Sequence, residues 1–362
     1  MTIKMKQMLF ICIAAALFFS GCSEREETVI RKIKNIPAED ISDETLPLAL
    51  LTPEKGYETT RIETGLGYYP LENLSFDSGL SENTAEQTRK TIGKSQAGKT
   101  KNKNLPEIKS ARSPIFIVPG ECLVYRIKWN FSNVGKLILV CKKEQIDKQD
   151  IYHLVAITVP EGLWTKFGYG YNRFDSYIDS KTNLPFYYYG YSASSSKSSV
   201  TKTFIDQEKK SLTYEIKKYK AGKQYGSKNG SIRFSGTIFD GLSAFYAVRG
   251  ISGAQLPPTT LSVGTTKITT LFLNFVEQNT DNFSVGMRDY WLFQLEASGE
   301  EMIFSKGKLF LSISADSEKF PLLLKGKVPF GTAVVDLVSK KNLGPDFPTD
   351  TRFLTDILVS TL

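Results

Sequence analysis

Residues 123–129, with the sequence LVYRIKW, alternate apolar and polar side chains and so predict a β-strand with one face on a core. The next residues, NFSN at 130–133, favour a turn, and the run KLILV at 136–140 predicts a returning strand. The two runs together predict an antiparallel hairpin. β-branched and aromatic runs of the same kind continue as far as residue 338, with turn signals between them.

The remainder of the domain repeats this pattern. Further strands are predicted at 152–159, 168–178, 185–192, 200–206, 211–217, 231–236, 267–276, 288–296, 301–313, 320–328 and 333–338. Consecutive short strands that return on one another are typical of antiparallel sheets. The predicted fold class is therefore mainly β: a curved antiparallel sheet or meander, built like a β-sandwich or a half-barrel.

One segment departs from the strand pattern. Residues 240–250, DGLSAFYAVRG, predict a short helix over 240–249, with Leu242, Phe245 and Tyr246 on one face. Asp240 is expected to cap the first turn, because its carboxylate can accept hydrogen bonds from free backbone N–H groups. Gly250 is expected to end the helix in the left-handed conformation.

The N-terminus has the features of an export signal. Two lysines precede an apolar run at 8–19, which is too short to span a bilayer and typical of a signal peptide. Residues 19–22, FSGC, resemble the bacterial lipobox, in which the cysteine is acylated and becomes the new N-terminus. The sequence therefore predicts a lipoprotein signal peptide over 1–21 and lipidation of Cys22. The alternative is an ordinary signal peptide with an incidental cysteine.

The residues after Cys22 bear on the location of the protein. Ser23 stands where aspartate would retain a lipoprotein at the inner membrane, so we expect a lipid-anchored protein of the outer membrane. The following residues, EREE at 24–27, resemble the acidic surface-export signals of some bacteria. Both the periplasmic and the outward face of the membrane therefore remain open.

A long polar segment separates the signal from the domain. Residues 22–112 lack sustained periodicity and predict a flexible tether, whereas 113–362 are long enough for a single domain with a sizeable core. Within the tether, GKSQAGKT at 93–100 matches the letters of a phosphate-binding loop. Neither the strand nor the helix that such a loop needs flanks it, so we predict no nucleotide and no other cofactor.

Charge and composition restrict the classes of function. The chain has 46 Lys and Arg against 38 Asp and Glu, and its single histidine excludes a metal site built from several histidines. The net charge of +8 divides into −8 over 22–88, +7 over 89–112 and +7 over 113–362, the rest lying in the signal. This is not the uniformly basic surface of nucleic-acid-binding proteins, and we predict no nucleic-acid partner.

Four segments resemble one known family in their order and spacing. They are GECLVY at 120–125, DSKTNLP at 179–185, DGLSAFYAVR at 240–249, and LFLS at 309–312 with Asp316 and Pro321 after it. Over about residues 117–340 the chain resembles the bacterial envelope domain-of-unknown-function family 3108. The resemblance implies a fold and an envelope location but no established activity.

The residues that carry the resemblance are interpreted as structural. They are Gly120, Glu121, Tyr125, Asp179, Pro185, Asp240, Ser243, Tyr246 and Arg249. Asp240 and Arg249 could instead form a functional pair. An arginine on an apolar helix face needs a carboxylate or carbonyl partner, however, because an unpaired buried charge is costly. We therefore expect Asp240 to be a cap and Arg249 to satisfy such a partner.

Three further groups are candidate sites. His153 could serve a hydrolase, but no motif such as G-x-S-x-G accompanies it, so no catalytic residue is assigned. The aromatic residues at 164–177 and 186–191 suit core packing, or else an apolar cleft for lipid or a stacking platform for sugars. A predicted hairpin tip carries Lys217, Lys218, Lys220, Lys223 and Lys228, which suit a solvated loop or contact with anionic lipid.

Two cysteines remain within the domain. With the hairpin turn centred between Phe131 and Ser132, Cys122 and Cys141 lie equally far from it and could form a disulfide across the strands. A register different by one residue would instead place two free thiols on opposite faces. Both alternatives remain open.

These observations lead to three functional hypotheses. The first is a membrane-anchored lipoprotein that binds an apolar or amphipathic envelope ligand, or assists envelope assembly, without catalysis. The second is a structural or protein-interaction module of the envelope, and the third is a hydrolase that uses His153. The ligand-binding residues and the identity of the ligand are not indicated by the sequence.

Overall fold

The computed structural model describes residues 115–361 except for short gaps at 147, 167–168, 252–258, 298–308 and 329–330. The predicted signal peptide, Cys22, the predicted tether and the segment 93–100 lie outside these residues. Among the helices described, none is long and apolar enough to cross a membrane.

Strands dominate this part of the chain. The first eight are β1 (Glu121–Trp129), β2 (Ser132–Ile146), β3 (Gln149–Pro160), β4 (Tyr169–Asp179), β5 (Leu184–Ser194), β6 (Lys197–Asp206), β7 (Ser211–Lys220) and β8 (Lys223–Arg233). The others are β9 (Ile238–Phe239), β10 (Thr259–Gly264), β11 (Ile268–Phe283), β12 (Gly286–Ala297), β13 (Leu309–Ser314), β14 (Pro321–Val328) and β15 (Gly331–Asn342). Three short helices accompany them: α1 (Leu163–Lys166), α2 (Gly241–Gly250) and α3 (Thr351–Ser360).

All fifteen strands form one curved, open sheet. Their order is β8-β7-β6-β5-β4-β3-β2-β1-β15-β14-β13-β12-β11-β10-β9. Every pair in it is antiparallel except β9 and β10, which are parallel across the crossover that contains α2. The predicted mainly β antiparallel fold is confirmed.

The inner face of the sheet is packed around α2. Side chains such as Leu123, Leu139 and Leu154 point from the central strands into one core cluster. Leu242 and Tyr246 of α2 join the same cluster and are fully buried. Burial of these apolar side chains, worth about 1.5–3 kcal/mol each, holds the helix against the sheet.

The outer face of β1–β3 has a second core beneath α3. Val124, Val140 and Val155 pack there against Leu354 and Leu358. Because both faces of these strands are covered, their sequences are nearly continuous apolar runs. Helix α3 was not predicted from the sequence, although Asp350 caps it and residues 353, 354, 357 and 358 follow the helical period.

The lysine-rich segment after β7 is a strand and not a tip loop. β8 begins at Lys223, whereas the sequence predicted a strand only at 231–236. Its glycines obscured the strand in the sequence, because glycine disfavours strands. Position 230 favours glycine, because a Cβ there would lie only 2.7 Å from the Tyr214 ring.

The structure decides between the two alternatives for the cysteines, and it shows that one local prediction, at Gly250, was wrong. Cys122 pairs with Val140, not Cys141, because the hairpin turns between Trp129 and Ser132 and a bulge shifts its register by one residue. Both cysteines are free, with Cys122 in the outer core and Cys141 in the inner core, so the disulfide is not formed. Gly250 is the last residue of α2, and the cap that follows is Ile251 with φ −84° and ψ 88°, not a left-handed glycine.

Candidate functional site

Asp240 caps α2 from a fully buried position. Its Oδ1 accepts hydrogen bonds from the N–H groups of Leu242 (2.9 Å) and Ser243 (3.0 Å). Its Oδ2 accepts from the hydroxyls of Ser176 (2.6 Å) and Ser243 (2.8 Å). Burial raises the pKa of Asp240 above its ordinary value, against the opposing effect of these bonds. The predicted cap is confirmed, and Ser243 is part of it.

Arg249 occupies the other end of α2 and is fully buried. Its Nη1 and Nη2 donate to the two carboxylate oxygens of Glu121 at 2.6 and 2.7 Å. Its Nε donates to the carbonyl of Lys319 (3.0 Å), and Nη2 also donates to the carbonyl of Glu318 (3.1 Å). The guanidinium therefore has both kinds of partner expected from the sequence, and Asp240 is not one of them.

The partners of Arg249 are themselves held in place. Asp316 accepts hydrogen bonds from the N–H groups of Glu318 (3.0 Å) and Lys319 (3.1 Å), which fixes the turn before β14. Tyr125 donates from its hydroxyl to the carbonyl of Pro321 at the end of that turn (3.0 Å). The Tyr246 ring lies 5.2 Å from the guanidinium. β1, α2 and the β13–β14 turn are thus joined at one buried charge.

The other family-motif residues also have structural positions. Asp179 accepts from the N–H groups of Lys181 (2.7 Å) and Thr182 (2.9 Å) and so forms the β4–β5 turn. Pro185 is buried at the start of β5. Gly120 has a φ of 87°, and a Cβ there would lie 2.8 Å from the Gly344 carbonyl oxygen. None of these residues presents a free functional group to a cleft.

His153 lies on the outer face of β3 in a cluster of charged residues. Its Nε2 is 2.8 Å from Asp175 Oδ1, and its Nδ1 is 3.4 Å from Glu144 Oε1. The Tyr177 ring stacks on the imidazole with 4.3 Å between ring centroids. Only 3% of His153 is exposed. Both ring nitrogens therefore face carboxylates in a buried setting.

This setting decides the protonation of the cluster. Burial disfavours the charged imidazole, but hydrogen bonds to Asp175 and Glu144 outweigh it and raise the pKa of His153. Burial also opposes the charged form of Asp175, but Arg173 and His153 lower the pKa of its carboxyl to about 2. Both ring nitrogens of His153 face carboxylates, so neither is directed at a hydroxyl or thiol nucleophile. The arrangement gives no support to a hydrolase that uses His153.

The cluster also ties the sheet to the start of α3. Arg173 donates from Nε and Nη2 to the two oxygens of Asp175, at 2.8 and 2.7 Å. From Nη1 it donates to the carbonyl of Thr349 (2.7 Å) and the hydroxyl of Thr351 (3.2 Å). Neither Arg173 nor Asp175 was predicted from the sequence. The signal was two opposite charges at i and i+2 within an aromatic strand, which places them on one face.

A row of aromatic rings lies on the outer face beside this cluster. Tyr177, Tyr187 and Phe204 are direct cross-strand neighbours on β4, β5 and β6. Ring centroids are 5.6 Å apart for the first pair and 4.8 Å for the second. Phe204 is 42% exposed. Other aromatics of the same strands, such as Phe174 and Tyr188, are core residues, as the simpler interpretation expected.

The inner face leaves little room for a ligand. Within the part of the chain described, its apolar cavity has a volume of about 10 Å³ and is lined by residues such as Tyr125, Leu137 and Phe245. Such a space holds about one water molecule. No group of three or more His, Cys, Asp and Glu residues there could hold a metal ion. The apolar space beside α2 is therefore too small for a ligand. A more open pocket of about 380 Å³ is lined by Arg233, Phe234, Ser235, Ser262, Ile268 and Thr270.

Comparison with known proteins gives a family without a known role. A family model described as "Protein of unknown function (DUF3108)" matches residues 124–338. Comparison with curated proteins gives no match. Among solved structures, a β-barrel-like protein of domain of unknown function DUF1849 from Brucella abortus is similar at 9% identity and a TM-score of 0.38, covering 64% of this chain and 100% of that one.

Two further solved structures are more distant. A Bacteroides fragilis protein described as exported, with a YmcC-like fold, has 9% identity and a TM-score of 0.24, covering 62% of this chain and 96% of its own. A Parabacteroides distasonis protein described as a lipoprotein has 5% identity and a TM-score of 0.24, with the same shares covered.

Proposed function

This chain belongs to the DUF3108 family, and we propose that it is a non-enzymatic, lipid-anchored protein of the bacterial envelope that binds on the outer face of its sheet. The lipid on Cys22 would anchor the protein, and the outer membrane would be the membrane that holds this anchor. The lipobox-like sequence at 19–22 supports the anchor. Ser23, which stands in place of a retaining aspartate, supports the outer membrane.

The single observation that carries the proposal is the outer row of Tyr177, Tyr187 and Phe204. Phe204 is 42% exposed, and the rings of Tyr177 and Tyr187 beside it are partly buried. Apolar surface that is exposed and continues into neighbouring rings is costly to leave in water and marks interaction sites. The inner face, by contrast, is filled by α2, and its cavity of about 10 Å³ is too small for a lipid chain. Binding by surface contact therefore fits the geometry better than binding inside the sheet.

The row suits an amphipathic ligand. Its ring faces offer apolar contact, whereas the tyrosine hydroxyls and the nearby Lys202, which lies opposite Tyr189 on the neighbouring strand, offer hydrogen bonds. A glycan has both kinds of group, with apolar C–H faces and hydroxyl edges. A protein partner is the second candidate, because tyrosine and phenylalanine are also enriched in protein interfaces.

Site-specific crosslinking in cells tests this proposal. A photoreactive phenylalanine at position 204 should crosslink to a ligand or partner, whereas the same residue at position 359, which is 47% exposed on α3, should not. A crosslinked glycan supports the amphipathic ligand, and a crosslinked protein supports the interaction module. Equal crosslinking at the two positions would contradict the proposal.

A further inference from the structure

We propose that one end of strands β6, β7 and β8 binds the anionic surface of a lipid bilayer. This end, called the tip below, carries Lys197, Lys220 and Lys223. This contact goes beyond the outer-face site above and uses different residues at one end of the sheet. It also differs from the predicted lipid on Cys22, since it needs no covalent chemistry. The occupant is a membrane surface rich in phosphate headgroups.

Three lysines stand side by side at this tip. Lys197 of β6 is the direct cross-strand neighbour of Lys220 of β7, and Lys220 is the direct neighbour of Lys223 of β8. Directly opposite side chains share one face, with their Cβ atoms about 5 Å apart. Like charges in such positions repel each other and destabilise the sheet. An anionic partner would reduce this repulsion.

The surrounding charge has the same sign. Residues 211–233 hold six basic residues and one acidic residue, a net charge of +5. That acid, Glu215, already lies 3.0 Å from Lys217. The other acids of these strands and their turns, Asp206 and Glu208, lie at the β6–β7 turn, which is at the opposite end. The tip therefore carries an excess of positive charge.

Exposed aromatic residues favour a membrane over a soluble polyanion. Tyr225 follows the β7–β8 turn and is 50% exposed. Phe131 is fully exposed in the β1–β2 turn, which the alternation of antiparallel strands places at the same end of the sheet. Aromatic rings beside lysines are typical of the membrane interface, where the ring enters the headgroup region and the ammonium meets phosphate.

Vesicle flotation tests the proposal with the full chain. All chains carry Cys22→Ala, which removes the proposed anchor, so the rest of the N-terminal segment contributes equally to each. The test variant is Lys220→Glu with Lys223→Glu. Its matched control is Lys148→Glu with Lys181→Glu, an equal charge change at exposed residues in turns at the opposite end of the sheet.

The chain that carries Cys22→Ala alone, called the unchanged chain here, should bind vesicles that contain phosphatidylglycerol more strongly than vesicles of phosphatidylcholine alone. Each lysine contributes on the order of 1 kcal/mol near such a surface, so loss of both positive charges alone lowers affinity for the anionic vesicles about 30-fold. The tip variant also adds two negative charges, so its loss should be at least this large. The control should stay within about two-fold. Raising the salt concentration should weaken binding of the unchanged chain, because screening shortens the reach of these charges.

Two results would overturn the proposal. Equal losses in the tip variant and the control would show that total charge acts and not the tip. Unchanged vesicle binding in the tip variant, with loss of a protein crosslink from a photoreactive residue at position 225, would assign the tip to an acidic protein. Neither result depends on position 204, so the outer-face proposal stands or fails separately.

Discussion

Arg249 and Glu121 are 128 positions apart in sequence, and their ion pair is buried on both sides, with 0% and 6% of the side chains exposed. A buried guanidinium keeps its charge, so its partners must replace water completely. Here two carboxylate oxygens and two carbonyls do so. This pair fixes where α2 and the β13–β14 turn meet β1.

Replacing Glu121 with glutamine should destabilise the protein by about 3 kcal/mol or more, because it leaves the Arg249 charge buried without a counter-charge. Urea unfolding measures the loss. The control is Glu318→Gln, which breaks an exposed ion pair of the same length: Lys340 lies 2.6 Å from Glu318, and the two side chains are 36% and 52% exposed. That change should cost less than about 1 kcal/mol. Similar losses in both variants would contradict the assigned role of Arg249.

His153 makes stability depend on pH in a defined direction. Its pKa is raised from 6.5, so its contribution is complete below about pH 6.5 and is lost as pH rises through the higher folded value. Asp175 has a pKa lowered from 3.8 to about 2, so its contribution is complete above about pH 4 and is lost as pH falls toward 2. The cluster should therefore stabilise the fold most between about pH 4 and 6.5.

The His153→Gln variant tests this dependence. The unchanged protein should lose up to about 1.4 kcal/mol per pH unit above pH 6.5, and the variant should not. His153 is the single histidine of the chain, so no other imidazole contributes to the difference. Urea midpoints between pH 5 and 9 measure it. Parallel curves for the two proteins would contradict the raised pKa of His153.

Some residue roles could be predicted from sequence, and others depended on distant strands. The cap at Asp240 was predictable because its bonds are local, to Leu242 and Ser243. The need of Arg249 for a partner followed from its apolar helix face, but Glu121 as that partner did not. The His153 cluster combines residues of β2, β3 and β4, so it depended on strand register.

Register is the feature of the first hairpin that sequence could not supply. Its strands were predicted correctly. A bulge where Ile127 and Lys128 meet β2, however, shifts every pair farther from the turn by one residue, including the pair of Cys122. Because side chains alternate between faces, that one step decides which cysteine enters which core. The bulge leaves Val134 without a partner on β1 and places Val134 and Leu137, three positions apart, in the same core. Gly135 between them obscures this break in the alternation, so both registers were compatible with the sequence.

An engineered cysteine tests this register. In a Cys141→Ala background, Val140→Cys places a thiol directly opposite Cys122, where Cα atoms lie about 4.5–5.5 Å apart. Such a separation allows a disulfide. Peptide mass mapping without reduction, after oxidative folding, should find Cys122 bonded to position 140. The unchanged chain should contain no Cys122–Cys141 bond, and finding one would contradict the register.

The C-terminal helix α3 is the element that covers the outer face of the central strands. Leu354 of this helix is fully buried against them, so Leu354→Ala should cost about 2–5 kcal/mol through lost burial and a cavity. Val359→Ala on the exposed side of the same helix should change stability by less than about 0.5 kcal/mol. Thermal and urea unfolding measure both. A small loss at Leu354 would mean that α3 does not seal the outer core.

The interior of the molecule supports the fold, and the groups for which we propose contacts lie on its exterior. Of the net charge of +8 in the sequence, residues 211–233 alone carry +5, and they form the β7–β8 hairpin at one edge of the sheet. The aromatic row lies on the outer face, two strands away from that edge. The composition could not reveal this separation, because charge totals carry no positions.

The pockets of the described residues predict that the protein carries no non-covalent lipid. Ligand pockets for drug-sized molecules have volumes of about 300–1,000 Å³, whereas the cavity beside α2 holds about 10 Å³. The pocket of about 380 Å³ beside Arg233 and Ser262 is open and mainly polar, which does not suit an acyl chain. Native and denaturing mass spectra of the purified full chain should therefore give the same mass, including any covalent acyl chains. A lipid released only on denaturation would contradict this prediction and restore the interior as a binding site.

The position of β1 beside β15 has a consequence for how the chain folds. Among the strands described, this is the pair that joins the elements most distant in sequence, with Tyr125 opposite Leu337. Strands β1–β8 and strands β10–β15 can each form from hairpins between neighbouring strands. Such local pairing is fast because little loop entropy is lost. Closing β1 onto β15 must come late, when synthesis has delivered β15. A chain that stalls before β15 is made would thus hold one complete half-sheet with a bare β1 edge, open to aggregation until its other half arrives.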